Sequence, residues 1–508
     1  MEGVIMFQST IRVGGVLAAL LVSTAAQAQV TAEQVWQNWR DASSSYGQTL
    51  TATSEARQGD TLVISGLQMS STFEGGSFTG KIETVNFREL GDGTVEVTMS
   101  PEYPLSFNAA DDKGKVAGDV LIRQPELKVI ASGTPEETTY TFSAPSVKVT
   151  LEKLLVDDVE KDVKAQADVS TLAGTYVVTS GEKKGATTNF TAGDASIDID
   201  ANDTEAKNKF VLKGKISNLS GKSDGVFLAP EAMADLNAAL KDGFNTNGQF
   251  AYGVGSYDFE FADATSNGKG SATIGGGDIH YTLNSTALGY GGTVKDVAMK
   301  LSSSDMPFPE LAIGYSEGAL DLLMPPTKSD TPGDFKFLIA LKNLTISDDA
   351  WNMFDPNKVL PRDPATVEVD TTGTGRWLTD ILSEAAADQP PPAENPVEMQ
   401  SFNLNNLVVK LAGAAISGKG ALTFDNTDLT TFQGMPAPTG TIDLKLSGLN
   451  GLIDKLIQLG FVPEDQAMGA RMMLGLFAKP AEGGGPDDLV STLEFKDKGF
   501  YANGQRLQ

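Results

Sequence analysis

The one histidine and two Gly-x-Ser-x-Gly segments are the residues of this chain whose types and spacing most suggest catalysis. Gly221–Gly225 and Gly314–Gly318 match the nucleophile-elbow pattern, which needs a buried strand running into a helix and a later acid and histidine. Ser223 precedes His280, but its neighbours predict a polar turn between strands, and no histidine follows Ser316. We therefore predict no serine hydrolase and no catalytic residue.

Metal ligation is the second chemistry that the sequence argues against. His280 lies in an alternating segment with no second histidine and no cysteine to complete a zinc or copper site, which favours a solvent-facing strand residue. The segment 198–202 resembles the start of a calcium loop, but Asp203 replaces the required glycine and Lys209 the bidentate glutamate. We predict no metal and no cofactor. Calcium on other surface carboxylates and a glycosidase-type carboxylate pair stay open, because sequence spacing does not give spatial spacing.

Residues 1–28 have the features of a secretory signal peptide. An apolar run over 13–22 is followed by the small-x-small site Ala26-Gln27-Ala28. The run is shorter than the roughly 20 residues of a membrane-spanning helix. We predict cleavage after Ala28 and release into the periplasm, with either Met1 or Met6 as the start of translation.

Composition excludes several classes of function. The net charge of −27 is spread along the chain and repels phosphate backbones, so nucleic acid is not an expected partner. The absence of cysteine excludes disulfides, thiolate metal sites and lipid attachment to cysteine. No stretch beyond residue 28 approaches 18 apolar residues, so we expect no transmembrane helix after cleavage.

Most of the chain alternates apolar and polar residues in short runs, which is the pattern of half-buried strands. Examples are Val95–Met99, Phe335–Leu341 and Ile442–Leu446. Turn residues such as Gly91-Asp92-Gly93 and Asn267-Gly268 separate the runs, as hairpins require. The pattern predicts a mainly β protein with some α-helix, built on a large antiparallel sheet that is curved or partly open.

A short motif recurs in these strands: an apolar residue, a spacer, Gly or Asn, and then Leu. A turn-tolerant residue inside a strand suits a bulge or a sharp bend, so we interpret the motif as a repeated strand device. Its five copies are Ile64–Leu67, Ile216–Leu219, Leu341–Leu344, Leu404–Leu407 and Leu446–Leu449.

Helices are predicted at a few places by capping signals and helical spacing. Thr31 and Gln34 form a capping box ahead of a helix to about Ala42, which has Val35, Trp36 and Trp39 on one face. A C-terminal helical hairpin follows, and its apolar stripe, including Met468, Met472 and Leu476, is predicted to pack against the sheet. The predicted segments are Thr31–Ala42, Pro230–Asp242, Arg376–Ala387, Leu449–Leu459 and Glu464–Ala478.

Two breaker-rich segments, 323–333 and 388–396, are typical of connections. We place a soft boundary near residue 325. The predicted organisation is a signal peptide over 1–28, an N-terminal β-rich region over 29–325, and a C-terminal β region with helices over 326–508.

The segment from Asn343 to Gly373 is the most distinctive in the chain, with Trp351–Pro356 followed by Leu360-Pro361-Arg362-Asp363-Pro364. It resembles domain-of-unknown-function family 2125, exported or membrane-anchored envelope proteins of alphaproteobacteria. Val35-Trp36 and Glu55–Asp60 are also similar to longer members, so the resemblance is expected over most of the chain after residue 28. The end, Leu493–Leu507, is similar to large periplasmic sheet proteins of the AsmA type. The family has no assigned activity, so the resemblance implies no catalytic residue.

Together these features predict a non-enzymatic periplasmic envelope protein whose sheet binds a lipid or other hydrophobic ligand in an apolar groove. Such a groove would be a strand face whose apolar side is left uncovered. The alternative is a structural or interaction protein of the envelope with a packed core and a protein partner. A glycan-directed enzyme would need two inward-facing carboxylates in one cleft.

Overall fold

The computed structural model describes residues 30–508, apart from 46, 74, 112–113, 135, 180–182, 204–206, 230 and 383–395. The predicted signal peptide and most of the predicted 388–396 connection therefore lie outside the described residues. The chain divides into two units. The N-terminal unit contains the described residues up to Ala234 together with Phe244–Ser271, and the C-terminal unit contains Asp235–Gly243 and Ala272–Gln508. The soft boundary near residue 325 stays a prediction.

The prediction of a mainly β, antiparallel protein is confirmed. The strands of the N-terminal unit are β1 Gln48–Thr51, β2 Ser54–Gln58, β3 Thr61–Phe73, β4 Gly76–Glu89, β5 Val95–Met99, β6 Glu102–Asp111, β7 Gly114–Arg123, β8 Lys128–Gly133, β9 Glu137–Val156, β10 Val159–Glu160, β11 Val163–Thr179, β12 Lys184–Ala192, β13 Ala195–Asp203, β14 Asn208–Ile216, β15 Leu219–Phe227, β16 Asn245–Tyr252 and β17 Gly255–Ala262. Strand β18, Asn267–Ile274, spans the division.

The strands of the C-terminal unit form a meander in which sequence neighbours pair antiparallel. They are β19 Gly276–Leu283, β20 Leu288–Ser303, β21 Leu311–Met324, β22 Gly333–Ile346, β23 Ala365–Trp377, β24 Val397–Leu411, β25 Ala414–Asp425, β26 Ala437–Ser447, β27 Lys479–Pro480, β28 Asp488–Lys496, β29 Gly499–Ala502 and β30 Gln505–Arg506. The meander is interrupted once, where β26 pairs with β28 across an inserted helical hairpin.

Helices are few among the described residues. They are α1 Ala32–Ser45, α2 Leu236–Lys241, α3 Asp348–Asn352, α4 Leu449–Gln458 and α5 Glu464–Phe477. The predicted capping box opens α1, because the Thr31 amide donates to Gln34 Oε1 at 3.0 Å and the Gln34 amide to Thr31 Oγ1 at 3.3 Å. The predicted hairpin is confirmed as α4 and α5. The helix predicted over 230–242 is reduced to a 3₁₀ turn, Ala232–Ala234, and the short α2.

Two local predictions were wrong. The described part of the segment 376–387 is not helical, because β23 continues to Trp377 with its partner β24 and Trp377 Nε1 donates to the Pro325 carbonyl at 2.8 Å. Asn267-Gly268 is the start of β18 and not a turn. The turn lies just before it, where the Asp263 carboxylate accepts hydrogen bonds from the amides of Thr265 and Ser266.

The recurring motif is a bend device, as predicted. Its third residue has a left-handed backbone in four of the five copies, with φ of 58° at Gly66, 53° at Asn218, 56° at Asn343 and 70° at Gly448. The fifth copy contains a shift in the register between β24 and β25.

In the N-terminal unit the long strands divide between two branches of sheet. One half of β11 pairs with β12 and the other half with β13, with Thr171 at a φ of 48° between the two halves. Strand β9 is divided in the same way between β8 and β7. Side chains of both branches share one buried core, which includes Ile64, Phe87, Val97, Tyr103, Ile122, Val129 and Tyr140.

Helix α1 covers this core with the face that the sequence predicted. Val35, Trp36 and Trp39 are at most 2% exposed. Both indole rings pack on Phe87, with ring centroids 5.9 and 5.1 Å away. The sheet is therefore fully packed beneath α1.

Candidate ligand-binding face

The strand register of the C-terminal unit places uncharged side chains in rows across the sheet. Because side chains alternate between the faces of a strand, cross-strand partners lie on the same face. The first row is Tyr281, Tyr290, Leu322, Phe337, Thr371, Leu404, Gly420, Ile442, Leu493 and Ala502. The second row is Ile279, Gly292, Leu320, Ile339, Val369, Leu407, Gly418, Leu444 and Ser491.

Two further rows flank these. One is Gly277, Val294, Gly318, Leu341, Val367, Val409, Ile416, Leu446 and Leu489. The other is Phe335, Gly373, Phe402, Leu422, Gly440, Phe495 and Phe500. The four rows contain no charged residue, and we call the surface that they form the apolar face.

Large side chains of the apolar face are left open. Ile279, Tyr281, Tyr290, Phe337, Ile339 and Val367 are each 40–45% exposed. No residue of β21 is fully buried on either face. Large apolar side chains of neighbouring strands are thus open to solvent beside one another, which makes this surface a candidate binding site.

Glycines shape the apolar face by letting neighbouring side chains lie down over the backbone. A side chain at Gly418 would collide with Leu444 Cδ2, and one at Gly420 would lie 2.8 Å from Ile442 Cγ1. Glycine within a strand commonly marks such a close approach.

The opposite face of the same strands carries the charges. Lys336 Nζ lies 2.5 Å from Asp321 Oδ2, and Lys342 Nζ lies 3.0 Å from Glu317 and 3.5 Å from Glu368. The hydrogen bond to Glu317 raises the pKa of Lys342, with burial opposing and the charge of Glu368 assisting it. The sheet is therefore amphipathic, with one charged and one apolar face. The apolar face is covered at its β28–β29 end, where Phe477 of α5 contacts Phe500 and Phe432 contacts Phe495, and its exposed large side chains lie on β19, β20, β22 and β23.

The N-terminal unit has the same two-sided character beyond its packed core. Phe142, Gly174, Phe190, Gly221 and Phe250 are successive cross-strand partners of β9, β11, β12, β15 and β16. Phe142 is in the buried core, whereas Phe190 and Phe250, with ring centroids 6.3 Å apart, are only half-buried. This phenylalanine and glycine row of the N-terminal unit thus begins in the buried core at Phe142 and continues half-buried at Phe190 and Phe250.

A cavity of about 620 Å³ lies on the other side of these strands. Thr175, Asn189, Lys222 and Gln249 form one cross-strand row along it. Ala173, Thr191, Ser220 and Ala251 form a second row on the same face and also line the cavity, so its lining mixes polar and small apolar side chains.

The sequence-derived candidates do not come together as a catalytic or metal site. Ser223 lies within β15 and not in the predicted turn. The Ser316 hydroxyl donates to the Lys342 carbonyl and accepts from Asn343 Nδ2, at a bend between β21 and β22. His280 is 42% exposed on the charged face, 3.4 Å from Asp278 and 3.6 Å from Asp321.

The aspartates of the candidate calcium loop are also in strands and paired with lysines. Asp198 contacts Lys213 at 3.4 Å, and Asp203 contacts Lys161 at 3.3 Å. In the described part of the chain, no three His, Cys, Asp or Glu residues are grouped so that they could hold a metal ion.

The distinctive Trp351–Pro364 segment forms a clamped loop at one end of the sheet. Arg362 donates to Asp348 at 2.6 Å, to Asn352 at 2.7 Å and to the Asp355 carbonyl at 3.0 Å, and lies over the Trp351 ring. The fully buried Asp355 carboxylate accepts from the amides of Val359 and Leu360, both at 2.8 Å.

Burial by itself would raise the pKa of Asp355. The two amide hydrogen bonds and the charge of Arg362 outweigh it and keep the pKa below its usual value. The motif residues thus hold the loop in one conformation, which is a structural role.

These observations define a class: antiparallel sheet proteins with one face of the sheet apolar and open. Within it, residues 293–504 match the model of the family described as an uncharacterized protein conserved in bacteria, DUF2125. The predicted resemblance is confirmed over these residues, which include the clamped loop and the helical hairpin. Val35-Trp36 and Glu55–Asp60 lie outside the match. No curated protein matches the chain. None of the described helices is long and apolar enough to cross a membrane.

Proposed function

We propose that this chain is a non-enzymatic envelope protein, exported to the periplasm, that binds a lipid or other hydrophobic ligand along the apolar face. The observation that carries the proposal is the set of four uncharged rows, in which six large side chains on β19, β20, β22 and β23 stay 40–45% exposed. Acyl chains suit such a surface, because it offers aliphatic and aromatic contact without a charged group to fix the orientation of a head group.

The test uses two neighbouring residues on opposite faces of β22. Ile339→Lys places a charge in the second row of the apolar face, whereas Leu338→Lys places the same charge between Asp321 and Asp370 on the charged face. We expect a fluorescent fatty acid to bind the unaltered protein and Leu338→Lys alike, and to bind Ile339→Lys at least about tenfold more weakly. Equal binding by both variants, with both folded by circular dichroism, would sink the proposal.

A protein without detectable binding of the fatty acid would favour the alternative, a structural or interaction protein of the envelope. Crosslinking in intact cells would then identify what covers the apolar face.

A further inference from the structure

Three inserts of the C-terminal unit are joined at one end of the sheet. Strands β22, β24 and β26 end there and β23, β25 and β28 begin there, because neighbouring strands are antiparallel. The inserts are the segment 347–364 (which contains the clamped loop), the turn 412–413 and the hairpin α4–α5. They contact one another, since a side chain at Gly413 would lie 3.1 Å from Pro361 and 3.7 Å from Lys455.

The outer side of these inserts is apolar. Met468, Met472 and Leu476 were predicted to pack on the sheet. The prediction is wrong, because Met468 is 71% and Met472 73% exposed. It is Ala467 that is buried on α5, so the spacing identified the stripe but the opposite side of the helix packs inward. We call the exposed apolar residues of the clamped loop and of the hairpin, together with Leu411 at the end of β24, the methionine rim: Met353, Phe354, Leu411, Phe461, Met468, Met472, Met473 and Leu476.

The methionine rim is continuous with the apolar face. The row that contains Val367, Val409 and Ile416 is the one nearest this end of the strands, and Leu411 follows Val409 on the same side of β24. An apolar path therefore leads from the rim onto the sheet without crossing the charged face.

The charge of the chain and the flexibility of methionine side chains indicate which kind of surface the methionine rim would contact. Three basic side chains of the inserts are paired locally, with Arg362 and Lys358 on Asp348 and Arg471 on Asp454. Together with the net charge of −27, this disfavours an anionic surface. The exposed residues belong to the clamped loop, the end of β24 and the hairpin, and flexible methionine side chains adapt to a fluid surface.

We propose that the methionine rim docks on the surface of a bilayer of zwitterionic lipids, and so gives lipid molecules access to the apolar face. The inference rests on the proposed function for its purpose, but docking is measured separately from ligand binding. The rim inserts shallowly, as an interfacial helix does, and does not span the membrane.

The test is flotation of the full chain with vesicles of phosphatidylethanolamine and phosphatidylcholine. We expect the protein to float with the vesicles, and the double variant Met468→Ser, Met472→Ser to lose at least about fivefold of the bound fraction. Met435→Ser is the matched control, because Met435 is 62% exposed in the connection between β25 and β26, at the other end of the strands.

Three results would overturn the proposal. They are failure of the unaltered chain to float, equal flotation of the double variant and the control, and a concentration-dependent dimer that the double substitution abolishes. The last result would assign the rim to a second copy of the chain. If the double variant still binds the fluorescent fatty acid, the loss of flotation belongs to the rim and not to the apolar face.

Discussion

The two units use similar antiparallel strands but cover them differently. At the start of the N-terminal unit, α1 closes two branches of sheet over a core of large, fully buried side chains. The meander of the C-terminal unit has large apolar side chains as well, yet its fully buried apolar residues are few and mostly alanine, such as Ala340, Ala414 and Ala502. Alternation in sequence is the same in both units. The difference shows that a covering element decides whether an apolar strand face becomes a core or stays open to solvent.

Removal of a large side chain should separate the two regions most clearly. Trp39→Ala should lower the free energy of unfolding by about 3–5 kcal/mol, because a fully buried ring leaves a cavity. Phe337→Ala should lower it by less than about 1.5 kcal/mol, because 42% of that residue is already in water. Urea denaturation followed by circular dichroism measures both. Similar losses would mean that the apolar face is packed in solution.

Among the polar interactions of the C-terminal unit, those of the clamped loop should contribute most to the free energy of unfolding. Arg362→Ala should lower the free energy of unfolding by about 2–3 kcal/mol. The substitution removes the hydrogen bonds that the charged guanidinium donates to Asp348, Asn352 and the Asp355 carbonyl. Lys213→Ala, which removes an exposed ion pair with Asp198 in the N-terminal unit, should cost less than about 1 kcal/mol. An equal cost for the two substitutions would contradict the clamp.

The branch point of the N-terminal unit should contain removable strain. Thr171 is β-branched and has a φ of 48°, so Thr171→Gly should raise the free energy of unfolding by about 0.5–1 kcal/mol. Thr175→Gly, in the regular part of the same strand, should lower it by about 1 kcal/mol. A loss of stability in Thr171→Gly would show that the bend in β11 does not depend on a left-handed residue.

The smallest expected effect is the pH dependence of one exposed turn. Hydrogen bonds from Thr265 and Ser266 lower the pKa of Asp263 to about 2, below its value of about 3.9 in an unfolded chain. Because the pKa of Asp263 is lower in the folded chain than in the unfolded chain, its ionised carboxylate stabilises the folded state above about pH 4. This contribution is lost as the pH falls from about 4 towards 2. Asp263→Asn should therefore show a slightly weaker dependence of the urea midpoint on pH in this interval. Identical pH profiles of Asp263→Asn and the unaltered protein would contradict the lowered pKa of Asp263.

Local patterns predicted much of the fold because they depend on near neighbours. The capping box of α1, the hairpin α4–α5 and the bend at Asn343 were all predictable from residue types at short spacing. The bend at Thr171 was not, because a β-branched residue disfavours a left-handed backbone. The helical spacing around Trp377 was overridden by its strand partner in β24.

The candidate site was less predictable than the fold. The rows of the apolar face depend on the register between strands far apart in sequence, such as Ile279 and Leu444, and no local pattern specifies that register. Helical spacing identified the apolar stripe of α5 but could not say which side faces the sheet, so the exposure of Met468 and Met472 was missed.

Extraction of the purified, folded protein with organic solvent, followed by mass spectrometry, tests the central claim most directly. The account predicts a lipid or other apolar molecule in stoichiometric amount, absent from a matched acidic control protein and depleted in Ile339→Lys. A clean extract, repeated after incubation with envelope lipids, would contradict the claim that the apolar face binds a hydrophobic ligand.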